Sequence, residues 1–172
     1  MPAQTSALTG AVTPRTFATF QEALSAAYEE EISGATFFAT LGRQLGGAAE
    51  EALALFAEIE QETQRLVAPV ARAHGLPKTS QADLNAEGAA EAESLRGITW
   101  AEFLAHIVAD YPAYVAEFEA TRDLAAPEAR ATLQWLVDHE VAMLDFARAE
   151  LAGDANSRRV LRDFLAKARA AG

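Results

Sequence analysis

The chain contains no cysteine. Disulfides, zinc–thiolate sites, iron–sulfur clusters, rubredoxin-type iron centres and cysteine nucleophiles are therefore excluded. Glycine and proline are scarce, 10 and 6 among 172 residues, and fall mostly between periodic segments. No run approaches the ~18 apolar residues of a membrane span. Residues Met1 to Pro14 lack the basic start and apolar stretch of a secretory leader. Basic residues are outnumbered 14 to 25, giving a net charge of −11, so the body repels phosphate backbones and nucleic acid is not an expected partner. There is no glycine-rich phosphate loop and no nucleophile elbow. The expectation is a cytoplasmic protein with residues 1–15 as a disordered tail.

What the chain does have is a helical composition. Hydrophobic residues make up 51%, and alanine is abundant. The length suits one domain with a real core. From Thr16, the residues Phe17, Phe20, Leu24, Tyr28, Ile32, Ala35, Phe38 and Leu41 recur at steps of three and four, which marks one face of a helix. Gly46-Gly47 ends it. A second segment runs from Ala48 to His74, with Leu53, Phe56, Ile59, Thr63, Leu66 and Val70 on a face and Pro69 as an expected kink or early end. Residues 75–98 show no strong periodicity and read as a long connection, with a short helical turn over 89–95. Further helices are expected over Thr99–Leu124, with a kink at Pro112, and over Pro127–Leu151. Residues 154–172 hold a short amphipathic helix from Ser157 to Ala170.

The segments repeat. Thr16–Phe20 overlays Thr99–Phe103, Tyr28 meets Tyr111, and Leu41 meets Leu124. Leu53 meets Leu133, Phe56 meets Leu136, and Glu60 meets Glu140. A duplicated helical hairpin explains this pattern. Two hairpins joined by one long crossover give an all-α, ferritin-like four-helix bundle over residues 16–153, because neighbours in a simple up-down bundle are joined by loops of only ~2–8 residues.

The stretches Tyr28–Phe38 and Phe56–Leu66 make the chain resemble the rubrerythrin branch of the ferritin-like superfamily. In that family an acidic ligand precedes an aromatic pair on the first helix. The resemblance implies iron or manganese, with redox chemistry on peroxide, dioxygen or ferrous iron. It also implies a metal site made of one Glu from each of two helices and a Glu-x-x-His pair from each of the others. Carried onto this chain, the single Glu is Glu31 and its repeat falls on Tyr114. The pairs become Glu60 with Thr63 and Glu140 with Met143. Both histidines are missing, and a hydroxyl or a thioether suits these ions poorly. A metal-free bundle, serving as an interaction or stress-associated module, is the alternative reading.

On the Thr99–Leu124 segment, His106, Asp110, Tyr114 and Glu117 share a stripe. His106 and Asp110 are therefore candidate ligands beside Glu31, Glu60 and Glu140, or partners of one another in a polar core. A third arrangement leaves His106 and Glu117 at the edge, facing water. His139 lies about 100° round the helix from Glu140, so it is expected off the inward face. The basic stretch Arg158–Arg169 reads as a helix packed on the acidic bundle or its partner subunit, or as a docking element for an acidic protein partner or a membrane surface. A homodimer is the expected assembly.

Overall fold

The computed structural model describes residues 12–171, so residues 1–11, most of the expected tail, lie outside the described part. The described chain is all-helical: α1 (Phe20–Leu45), α2 (Gly47–Ala73), α3 (Gln81–Ser94), α4 (Trp100–Leu124), α5 (Pro127–Leu151) and α6 (Arg159–Ala170). No helix is long and apolar enough to cross a membrane, among the described residues.

Local chemistry sets the boundaries. Thr19 and Thr99 cap α1 and α4, and Glu102 closes a capping box with Thr99. Pro127 occupies the first turn of α5, where its missing N–H costs nothing. Between α1 and α2 the chain reverses at Gly46, whose φ of 70° suits a residue without a Cβ and whose N–H reaches the Gly42 carbonyl at 2.8 Å. That tight link pairs α1 with α2, and α4 pairs with α5 through the short turn Ala125-Ala126. The pairs meet chiefly where α2 packs on α5, with a lighter contact of α1 on α4. Of the two outcomes expected at Pro69, a kink or an early end, the early end does not occur. α2 runs on to Ala73, carried by the burial of Val67, Ala68 and Ala71.

The long connection is not irregular. Its central part is α3, a helix of 14 residues lying along α1. Its buried face is only Leu84, Gly88 and Ala92, a narrow stripe at steps of four that carries little hydrophobic signal. Ser80 caps it, accepting from the Asp83 N–H. Glu29 of α1 accepts from the Lys78 N–H at 2.7 Å and the Thr79 N–H at 3.0 Å, and Thr36 donates to Asn85 at 3.1 Å. The approach is closest at Gly88, where an added Cβ would stand 2.1 Å from the Ser33 carbonyl oxygen.

The core comes in two parts. One cluster gathers Phe38, Leu41, Phe56, Phe103, Met143 and Phe146, with Leu161 and Phe164 of α6. The other gathers Leu24, Tyr28, Ile32, Val67, Phe118, Leu133 and Leu136. Along α1, α2 and α5 the chain passes from one cluster to the other at Glu31, Glu60 and His139-Glu140. A buried polar layer thus lies where the apolar clusters meet. α6 seals the first cluster from outside, packing on α2 and α5. Its basic residues pair with the body: Arg158 with Glu51 at 2.5 Å, Arg169 with Glu58 at 2.6 Å, and Lys167 with Asp138 at 3.7 Å.

The Gly88 approach yields a test of α3. Gly88→Ala should push α3 off α1 and lower unfolding stability by about 2 kcal/mol, as overpacking does. Chemical denaturation of the purified variant measures it, and an unchanged midpoint would show that α3 is not tightly seated.

Candidate metal centre

Three helices supply the polar layer. Glu31 of α1, Glu60 of α2 and His139 of α5 each present one donor atom, all within 4.8 Å of one another. His139 Nε2 lies 3.4 Å from Glu31 Oε1, 3.5 Å from Glu140 Oε1 and 3.9 Å from Glu60 Oε2. Glu31 and His139 are each 1% exposed, and Glu60 and Glu140 are buried too. Three carboxylates therefore converge on one imidazole away from bulk water.

Burial decides the protonation. Glu31 is held well above the usual carboxylate range, first by desolvation and then by the charge and hydrogen bonding of Glu60. Glu60 is pushed up to about 7 by burial, with His139 and a proton shared from Glu31 pulling the other way. Burial lowers His139, but the hydrogen bond and charge of Glu140 and the charge of Glu60 outweigh it and leave the imidazole raised. The Trp135 carbonyl, one turn back, adds to this but stands outside hydrogen-bonding geometry, so Nδ1 has no bonded partner. Glu31 Oε2, Glu140 Oε2 and Thr63 Oγ1 are also buried and unpartnered. Such atoms are rare in folded proteins, and two of them, Glu31 Oε2 and Glu140 Oε2, belong to carboxylates that converge on His139.

Room has been left beside them. Gly34 of α1 faces the Glu60 carboxylate, and a Cβ there would stand 3.0 Å from Glu60 Cδ. A cavity of about 170 Å³ opens here, walled by Phe37, Phe103 and Phe118 and lined by Glu30, Glu91, His106, Tyr111 and Tyr114 together with the layer itself.

Of the six residues expected from the sequence, Glu31, Glu60 and Glu140 meet in the layer. Tyr114 lines the cavity, with its ring set edge-on to Tyr111 at 5.6 Å. His106 and Asp110 instead pair with each other, Nδ1 to Oδ2 at 2.7 Å. Asp110 is buried and His106 reaches the cavity wall. Glu117 is buried rather than at a wet edge, because Arg15 grips it.

Two sequence expectations need correction. His139 is inward, not off the face. α5 is covered on several sides, by α4, α2 and α6, so a residue 100° from Glu140 is still enclosed. The signal was available in the repeat, since the overlay that matches Glu60 with Glu140 also matches His139 with Ile59, a core residue. The register of the other overlay also shifts. The caps align Thr19 with Thr99, and the buried pairs Ala23/Phe103, Leu24/Leu104, Ala27/Ile107 and Phe38/Phe118 follow. In that register the counterpart of Glu31 is Tyr111, and Tyr114 answers to Gly34.

Comparison with models of known families, with curated proteins and with solved structures finds no match to this chain. Its chemistry is read from its own residues.

The raised groups fix the pH response of the metal-free protein. A carboxyl near 7 in the fold and ~4.3 unfolded contributes stability that is complete below the unfolded value and lost as pH rises through 7. The raised His139 acts in the same sense. Stability should therefore fall by on the order of 2 kcal/mol between about pH 6 and pH 8.5. Glu60→Gln should flatten that slope in thermal melts recorded in chelator. A wild-type melting temperature that climbs over the same interval would contradict the buried-acid assignment.

Proposed function

We propose that the protein is a ferritin-like, rubrerythrin-related four-helix bundle whose two-metal carboxylate site is reduced to one divalent position, for iron(II) or manganese(II), held by Glu31, Glu60 and His139 with Glu140 alongside. The observation that carries this reading is the convergence of three buried carboxylates on one imidazole, with Glu31 Oε2 and Glu140 Oε2 left without partners.

The donor set fits such an ion. Carboxylate oxygens and a neutral imidazole suit iron(II) and manganese(II), and the absence of thiolate disfavours softer metals. A second ion is poorly served. Thr63 and Met143, both fully buried, stand where the family's histidines would be, and Tyr111 stands opposite Glu31 in the repeat. Gly34 keeps the Glu60 carboxylate free to swing. Phe118 packs its ring 5.7 Å from that of His139 and helps to hold the imidazole in place. Phe37, Phe103 and the two tyrosines bound a chamber large enough for a small molecule beside the ligands. An iron or manganese ion held there would supply one-electron redox chemistry toward peroxide or dioxygen. The protein's own part is to position the ligands, to limit water, and to present the Tyr114 hydroxyl to whatever enters.

Elemental analysis after anaerobic loading with ferrous iron or manganese(II), on protein without an affinity tag, tests the reading. About one ion per chain is expected, with Glu60→Gln and His139→Gln each weakening binding by ~10-fold or more. About two ions would mean that Thr63 and Met143 do not disable the second position. No ion at any loading would leave the metal-free module, in which Glu60→Gln should instead raise the melting temperature by relieving buried charge.

A further inference from the structure

Helix α4 carries a histidine and an aspartate one turn apart. His106 and Asp110, at i and i+4, lie on one side of the helix. His106 Nδ1 stands 2.7 Å from Asp110 Oδ2. The Asp110 side chain is 6% exposed and that of His106 26%, so the carboxylate sits inside and the imidazole reaches out from it. With Nδ1 committed to Asp110, the other ring nitrogen, Nε2, is the one left for the cavity that His106 lines. Nε2 has no ion-pair partner among the described residues.

The cavity reaches solvent where Glu91 of α3, exposed, and His106 of α4, half-buried, face each other, and Glu91 feels the charge of His106. The pair therefore stands between bulk water and the inner ligands. It is not a second metal position. Among the described residues, the one group of three donors close enough to share an ion is Glu31, Glu60 and His139. Other acids of the cavity are poorly suited to exchanging protons. Glu30 is gripped by Arg15, and Glu31, Glu60 and Glu140 belong to the buried layer. Burial pushes the hydroxyls of Tyr111 and Tyr114 up, which keeps their protons on. Imidazole is the side chain that gains and loses a proton near neutrality, and a buried carboxylate behind it fixes its tautomer and orientation.

We propose that His106 is the acid–base residue of the cavity, carrying protons between solvent and a small protic molecule held beside the inner ligands, with Asp110 as the residue that positions it. This inference rests on the reading of Glu31, Glu60 and His139 as a metal centre. Hydrogen peroxide is small enough for the chamber and makes the balance explicit. Reducing one molecule to two waters takes two electrons and two protons, and oxidising a second to dioxygen supplies both. In that sum His106 Nε2 takes a proton from the molecule being oxidised and gives it to the oxygen released as water. It carries no electrons.

Two measurements test the relay on the full chain. The first needs neither metal nor turnover. NMR of metal-free protein labelled with 15N-histidine should find neutral His106 with its proton on Nδ1, facing Asp110. Asp110→Leu removes the acceptor and should abolish that preference. The second follows oxygen evolution from hydrogen peroxide by protein loaded with manganese(II). His106→Gln should lower it by ~100-fold and Asp110→Leu by less, while elemental analysis finds the wild-type metal content in both; circular dichroism confirms that each variant is folded. Undiminished oxygen evolution in His106→Gln, or a metal-loaded wild type that leaves peroxide intact, would overturn the relay while the centre stands. A wild-type His106 protonated on Nε2 would overturn the role given to Asp110. Absence of metal in every protein would overturn the centre and the relay with it.

Discussion

Everything in this structure accommodates three carboxylates buried around one imidazole. Moving even one ionised carboxylate out of water costs several kcal/mol unless it is paired. Three of them share a space in which, among the described residues, His139 is the one basic group within 4 Å of each. In the metal-free protein burial raises both Glu31 and Glu60, which favours their neutral forms. Even so, unpartnered oxygens remain.

Packing around the layer is supplied from both sides. The two apolar clusters flank the layer, and each draws on α1, α2, α4 and α5, so that none of these four can slide without breaking contacts in both. Aromatic rings dominate the first, where Phe38, Phe56 and Phe146 form a chain of edge-on contacts at 5.1 and 5.5 Å. α6 adds Phe164, set edge-on to Trp135 at 5.7 Å, and its cations offset part of the acidic surface. Most of those pairs are exposed and stabilise little. The helix is held chiefly by Leu161, Phe164, Leu165 and Ala168. The basic stretch is thus largely explained by packing within the chain.

Much of this was legible from residue patterns, and the exceptions have physical causes. The four long helices announced themselves through wide apolar stripes and strong stop signals at Gly46, Pro127 and Gly153. α3 did not, because its inner face is one leucine, one glycine and one alanine. Close backbone approach replaces hydrophobic bulk there, and periodicity cannot register a contact made by the absence of a side chain. His139 was misplaced for a different reason. An angular argument from one ligand assumes that a helix has a single buried face, and α5 is enclosed over much of its circumference. On the α4 stripe Asp110 and Glu117 are buried while His106 and Tyr114 are half-buried, and its members serve different ends. Asp110 fixes His106, Glu117 anchors Arg15, and Tyr114 faces the cavity.

The replacement of both expected histidines looks at first like loss of the centre, yet the charge balance argues otherwise. Were the layer only a core, Glu31 and Glu60 would be best exchanged for apolar residues, which fill the same space without desolvation cost. Met143, one turn on from Glu140, is fully buried and belongs to the aromatic cluster. Three carboxylates nevertheless stand at its neighbouring positions, Gly34 leaves one of them space to move, and an imidazole from the adjacent position on α5 reaches all three. A small cation of charge two would pair the unpartnered oxygens at once and favour the ionised carboxylates. The donors that a second ion would need are replaced by groups that pack, and the donors that one ion needs converge. Charge of one sign, gathered at the junction of two apolar clusters, is what a site for a single divalent cation requires.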